Sequence, residues 1–220
     1  AGALTFGMLV LGQELLQPSG AMLRVEDCEL IDSGISPDGA QASGVAVAGI
    51  SAWVPACQII ANRVGYTQEQ KLKTDLQHRA LLLIGPIALR YVTGSQVLEY
   101  MSGSALVSGN HLRGPGRSTL VEFLPLPVTD NISFRFEKVT FSNNQCEHWS
   151  AEASDQAATI QLSGGQLIAV GNHVKAAPSV NAMSLANGKK IALLGNVTTG
   201  NYVKQGTVTP SPIANFNVIG

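Results

Sequence analysis

Short apolar runs recur along this chain, and six of them break at a polar turn residue that is followed at once by a second alternating stretch. In five of the six the break is asparagine. The copies are Ile59-Ile60-Ala61-Asn62-Arg63-Val64, Val107-Ser108-Gly109-Asn110-His111-Leu112 and Phe141-Ser142-Asn143-Asn144-Gln145-Cys146, then Ala169-Val170-Gly171-Asn172-His173-Val174 and Leu193-Leu194-Gly195-Asn196-Val197. A degenerate early copy, Val25-Glu26-Asp27-Cys28-Glu29-Leu30, carries Cys28 in the asparagine slot. Asparagine and a preceding glycine tolerate the left-handed backbone of a tight corner, and the asparagine amide can bond neighbouring backbone groups. Strand, one-residue corner, strand, repeated down a chain, predicts a parallel β-solenoid.

Corner-to-corner distances give the period. Cys28 to Asn62 is 34 residues, Asn62 to Asn110 is 48, Asn110 to Asn144 is 34, Asn144 to Asn172 is 28, and Asn172 to Asn196 is 24. A turn of such an array takes on the order of 20–30 residues. The two shortest intervals therefore read as single turns, each 34 as one turn with an inserted loop, and the 48 as two turns. That gives about seven to nine turns. Between corners lie alternating strands at Gly44–Ala48, Ala80–Ile84, Thr119–Phe123, Ala158–Leu162 and Asn181–Leu185. In the fourth of these Ile160 and Leu162 face inward while Thr159 and Gln161 face outward, and Met183 with Leu185 repeats the inward pair one turn later.

Insertions are read at Ile35–Ser43, at the charged stretch Thr67–Arg79, and at Leu124–Asn131, an extended connector bearing Pro125, Pro127 and Asp130. The chain reads as one domain, 1–220, with terminal caps at 1–20 and 207–220, because an array needs its end edges protected. The fold class is thus all-β: a single-stranded right-handed parallel β-helix with inserted loops and terminal caps.

Composition narrows the partners. Charged residues make up 13% and net charge is −1, so bulk electrostatics do not favour a nucleic-acid polyanion. No apolar segment reaches the ~18 residues of a membrane span. The apolar opening Ala3–Leu11 lacks the basic start and cleavage site of a signal peptide, and the absence of an initiator Met suggests a processed or trimmed piece. Three widely spaced cysteines, Cys28, Cys57 and Cys146, give no disulfide framework and read as small core residues.

Candidate chemistry is sparse. Asn62, Asn110, Asn144, Asn172 and Asn196 read as a structural ladder of stacked amides. His111 and His173 each follow a corner asparagine, so alternation turns them outward on a shared face, where they are candidate ligand-facing groups. Trp149, just past a corner strand, is a third. His78 and His148 have no second His or Cys at metal-ligand spacing. Glu26, Asp27, Asp32, Asp130, Glu147, Glu152 and Asp155 do not make the paired carboxylates of a glycoside hydrolase. No catalytic residue, metal site or cofactor is assigned.

The stretch Val139–Gly220, with its apolar-x-apolar-x-x-Gly-Asn-x-apolar turns, its Gly195-Asn196-Val197-Thr198-Thr199-Gly200 and its closing Asn215-Phe216-Asn217-Val218, resembles bacterial right-handed parallel β-helix repeat proteins. Proteins of that architecture include pectate-lyase-like enzymes, phage tail spikes, adhesins and proteins associated with phage-tail-like particles. The chain departs from the enzymatic members in lacking clustered Asp and a basic catalytic signature. The resemblance implies a non-enzymatic structural or recognition module of a surface, fibre or tail-like assembly, forming a homo-oligomer or filament, with protein partners or a glycan, outside the cell or on a particle surface. The alternatives are a polysaccharide lyase or glycoside hydrolase with a cleft on the side of the helix, and a glycan-binding module.

Overall fold

The structure is a computed structural model and describes residues 5–11, 22–33, 45–67, 80–86, 101–117, 119–129, 132–149, 157–205 and 218–219. Three strands succeed one another in each turn of the chain. The first turn is β1 (Thr5–Leu11), β2 (Leu23–Glu26) and β3 (Glu29–Ile31), and the second is β4 (Val45–Trp53), β5 (Cys57–Ile60) and β6 (Arg63–Gly65). The third is β7 (Ala80–Gly85), β8 (Met101–Ser108) and β9 (His111–Gly114). The fourth holds β10 (Val121–Phe123), the short β11 (Leu126–Thr129), β12 (Ile132–Ser142) and β13 (Gln145–His148). The fifth is β14 (Ala158–Ser163), β15 (Gln166–Val170) and β16 (His173–Lys175), and the sixth is β17 (Asn181–Ala186), β18 (Lys190–Leu194) and β19 (Val197–Thr199). Strands β20 (Tyr202–Gln205) and β21 (Val218–Ile219) begin and end a seventh.

Each strand pairs in parallel with its counterpart one turn on, which builds three sheets. Sheet A runs β1-β4-β7-β10-β14-β17-β20, sheet B runs β2-β5-β8-β12-β15-β18, and sheet C runs β3-β6-β9-β13-β16-β19-β21. The described residues contain no helix. An all-β chain with three parallel sheets of stacked strands is consistent with a β-solenoid.

Register keeps like residues over like. In sheet B, Val25, Ile59, Val107, Phe141, Ala169 and Leu193 stack in one inward row. In sheet C the inward row is Leu30, Val64, Leu112, Cys146, Val174 and Thr198. Sheet A contributes Ile50, Leu82, Val121, Ile160 and Met183. Nearly all are buried in a single core, each large aliphatic side chain contributing about 1.5–3 kcal/mol. The rings of Phe123 and Phe136 meet edge to face at 6.5 Å inside it.

The sheets differ in solvent contact, and their sequences say so. Strand β7, Ala-Leu-Leu-Leu-Ile-Gly, is buried at every position, the continuous apolar run of a sheet covered on both faces. Strands β5, β13 and β15 alternate buried with half-buried or exposed positions, as a sheet with one open face requires. Thr159, read as outward, is fully buried for the same reason as its neighbours in sheet A.

Two expectations need correction. The 48-residue interval is one turn, because Asn62 bonds Asn110 directly and β5 pairs with β8. The added length lies in the connections on either side of β7, so the described strands make six complete turns and part of a seventh. The connector Leu124–Asn131 contains β11, which pairs antiparallel with the start of β12 (Leu126 opposite Phe134), leaving Pro127 on an edge strand that can do without its N–H. Of the caps, Thr5–Leu11 and Val218–Ile219 are the outer strands of sheets A and C. The rest of 1–20 and 207–220, Ile35–Ser43 and all of Thr67–Arg79 but Thr67 lie outside the described residues.

At every corner from sheet B to sheet C the left-handed residue is the one before the asparagine slot. These are Asp27 (φ 53°), Ala61 (φ 55°), Gly109 (φ 68°), Asn143 (φ 54°), Gly171 (φ 66°) and Gly195 (φ 63°). Ala61 is the poorest fit, since the left-handed conformation puts an alanine Cβ too close to its carbonyl, at roughly 1–2 kcal/mol. Ala61→Asn, which copies Asn143 at an exposed site, should raise unfolding stability by about 1 kcal/mol at unchanged m-value in urea melts. A loss of stability would mean the corner geometry is not as described.

Candidate functional site

The corner asparagines are buried, none more than 1% exposed. From Asn110 onward each Oδ1 accepts two bonds from the turn before it, whereas Asn62 Oδ1 accepts one, from the Cys28 N–H. Asn144 Oδ1 takes the backbone N–H of Asn110 at 2.9 Å and its Nδ2 at 2.9 Å, and Asn110 Oδ1 takes the same pair from Asn62, both at 2.9 Å. Asn172 Oδ1 accepts from Asn144 at 3.0 and 3.1 Å, and Asn196 Oδ1 from Asn172 at 3.0 and 2.8 Å. The second Nδ2 hydrogen of each amide goes back to a carbonyl in the previous turn: Val25, Ile59, Val107, Phe141 and Ala169 in order. Backbone bonds run through the corner on either side, as in His111 N–H to Asn62 O at 2.8 Å. Among the described residues no corner asparagine amide is left buried without a partner, which is what permits a corner inside the core.

Just past the ladder the outer face of sheet C gathers the charged chemistry. The residue after each corner slot forms one outward row, Glu29, Arg63, His111, Gln145, His173 and Val197. Two residues further along each strand a second row carries Arg113, Glu147 and Lys175. Arg63 and Glu29 pair across one turn at 2.6 Å, and Glu147 is bracketed by Arg113 Nε at 3.1 Å and Lys175 Nζ at 2.9 Å. Burial alone would push the Glu147 carboxyl up, but the Lys175 and Arg113 charges outweigh it and hold the carboxyl below its usual range.

A hollow of about 230 Å³ lies here, lined by His111, Gln145, Cys146, Glu147, His173 and Lys175. His111 and His173 flank Gln145 from strands two apart, about 10 Å between backbones, so they do not converge on one ligand atom. Among the described residues no three His, Cys, Asp or Glu side chains gather to hold a metal ion. What the hollow offers is an open, hydrogen-bonding surface with a fixed ion triplet.

The remaining candidates fall elsewhere. Trp149, a candidate ligand-facing group in the sequence, is 9% exposed, packs into the core cluster and lies 5.0 Å beneath the Arg113 guanidinium. His148 is buried, its Nδ1 3.1 Å from Thr159 Oγ1 and its Nε2 3.2 Å from the Gly116 carbonyl. The carbonyl can only accept, so Nε2 carries a proton, and in the neutral ring Nδ1 accepts from the hydroxyl. Cys57 and Cys146 are buried, which pushes the Cys57 thiol up to about 12 and the Cys146 thiol up as well. Cys28 holds the corner slot and donates its N–H to Asn62 Oδ1 at 3.0 Å.

Among the carboxylates, Glu26 pairs with Arg24, and Asp32 accepts from Thr67 N–H at 3.0 Å and Thr67 Oγ1 at 2.8 Å. His78, Asp130, Glu152 and Asp155 lie outside the described residues. The triplet Arg113–Glu147–Lys175 was missed in the sequence reading, yet its signal was present: each member stands three residues after a corner asparagine. Comparison with family models, with curated proteins and with solved structures gave no match.

Two measurements probe this region. Asn144→Ala removes the acceptor for two Asn110 donors and the donor to Val107 O, and should lower unfolding stability by about 3–5 kcal/mol. A loss under about 1 kcal/mol in urea melts would demote the ladder to a minor contribution. For Glu147 the folded carboxyl lies below its unfolded value, so its stabilisation is present above the unfolded value of about 4.3 and lost as pH falls through the folded one. Glu147→Gln should therefore be about 1 kcal/mol less stable than the parent at pH 7, with the gap closing at pH 3. A gap that persists at pH 3 would assign it to packing.

Proposed function

We propose that the chain is a right-handed parallel β-helix acting as a non-enzymatic structural or recognition module of a surface, fibre or tail-like assembly, in which copies associate with one another. The hand follows from the strong right-handed preference of parallel crossover connections. The observation that carries the reading is the continuous amide ladder from Asn62 to Asn196, which locks successive turns into one stack. A stack in which every turn touches only its neighbours, yet all share buried bonds along the axis, is suited to bearing load and presenting flat faces.

The charged groups support the same reading. Glu29 and Glu147 are engaged with cations on adjacent turns, where they join strands, and the Lys175 and Arg113 charges hold the Glu147 carboxyl ionised. A polysaccharide lyase or hydrolase would need carboxylates free to exchange protons or hold a cation. A glycan-binding module would draw on the hollow between His111 and His173 in place of the covered Trp149 ring.

Light scattering over a concentration series, with electron microscopy of the same samples, tests the proposal. The expected result is mass rising above the 23.0 kDa of one chain, in elongated particles. A strict monomer at every concentration would sink the self-associating reading, and cleavage of acidic polysaccharides would replace it with the enzymatic one.

A further inference from the structure

The three faces of the stack are not equivalent. On sheet A the outward row is largely covered: Ser51 is 1% exposed, Leu83 9%, Glu122 5% and Ser184 1%, with Gln161 half-buried among them. Sheet C presents the charged rows described above, which are solvated and paired among themselves. Sheet B is different again. Two adjacent outward rows contain Ile60, Leu106, Thr140, Ile168, Val170 and Leu194, in register across five successive strands. Past the Arg24–Glu26 pair on β2 these two rows carry no charged side chain, and the exposed Lys138 and Lys190 of the next outward row mark their border.

Their polar members suit dehydration. Ser142 Oγ donates to Ser108 Oγ at 3.0 Å across one turn, so these hydroxyls keep a partner when water leaves. Leu194, 50% exposed, stands on the last described strand of one row. A flat, largely apolar strip backed by a rigid sheet is expensive to leave in water and easy to match with another flat sheet, about 10 Å away with side chains interleaved.

We infer that the outer face of sheet B is the surface through which two copies of this chain associate, an inference that rests on the self-associating reading above. Size identifies the kind of contact. Five strands at about 4.8 Å spacing and two outward rows make roughly 300 Å² of flat area per copy. That is under half of the ~800 Å² per partner in a standard stable interface. One such face cannot make a permanent dimer, and it fits a reversible, concentration-dependent pairing. A second copy is the matching occupant, because a twofold axis along the strands lays each of the two uncharged rows on its own counterpart and leaves the Lys138 and Lys190 row at the rim, in water.

The test introduces like charge at the centre of the face. Ile168→Glu and, separately, Thr140→Lys place a charge on outward side chains that can reach water in the isolated chain, while Val197→Glu does the same on sheet C as control. Each variant is first checked for unchanged circular dichroism and melting. Light scattering should then show both sheet B variants at the mass of one chain where the parent and Val197→Glu associate, with the apparent Kd weakened about tenfold or more. Association lost in Val197→Glu but kept in both sheet B variants would overturn the face and leave self-association standing. A parent that is monomeric throughout would overturn both.

Discussion

A chain that turns a corner with one residue inside its own core must find partners there for backbone groups that water cannot reach. This constraint organises the molecule. The asparagine amide meets it because it has two donors and an oxygen that accepts twice, the number of bonds the site asks for. One Nδ2 hydrogen serves the carbonyl of the preceding turn, the other serves the next amide, and the oxygen takes the backbone and side-chain donors of the turn before. No other side chain of that size supplies this set. Cys28 marks the limit of the rule. Among the described residues no turn precedes it, so an amide there would have a donor with no carbonyl to serve, and a small side chain that leaves its N–H to Asn62 suffices.

With the corner fixed, the three sheets inherit their characters from what the chain does between corners. Sheet A follows the long connections and is buried on both sides. Sheets B and C flank the tight corner and stay open, one with two largely apolar outward rows and one ionic. Placing Arg113, Glu147 and Lys175 in one row and Ile168 with Val170 in another needs no special loop. It needs only that alternation and register hold from turn to turn. The same arithmetic that stacks the core sorts the surface into faces with different partners.

The corners and the strands near them were legible from sequence because their chemistry is local: an asparagine after a left-handed residue, flanked by alternating apolar positions. Ile160 over Met183 and Leu162 over Leu185 followed directly. The number of turns was not legible, because a long insertion and an additional turn add the same kind of residues between two asparagines, and only pairing of β5 with β8 separates them. Trp149 was misplaced for a related reason. Its exposure depends on Arg113, one turn away, closing over it, which no single stretch of sequence displays. The ion triplet was hidden until the turns were aligned on their asparagines and read as columns.

The connection from sheet B to sheet C never changes length: two residues separate the strands at Asp27–Cys28, Ala61–Asn62, Gly109–Asn110, Asn143–Asn144, Gly171–Asn172 and Gly195–Asn196. The connections into and out of sheet A vary from Gly200–Asn201 to the whole span between Gly85 and Met101. The molecule thus has one rigid joint per turn and two elastic ones. Doubling an elastic segment changes loop-closure entropy by only about 0.6 kcal/mol, whereas a single residue added at the rigid joint would throw the amides out of line. New peptide, whether acquired in evolution or grafted by design, can be carried on the sheet A side without disturbing the fold, and the asparagine edge is where it cannot be.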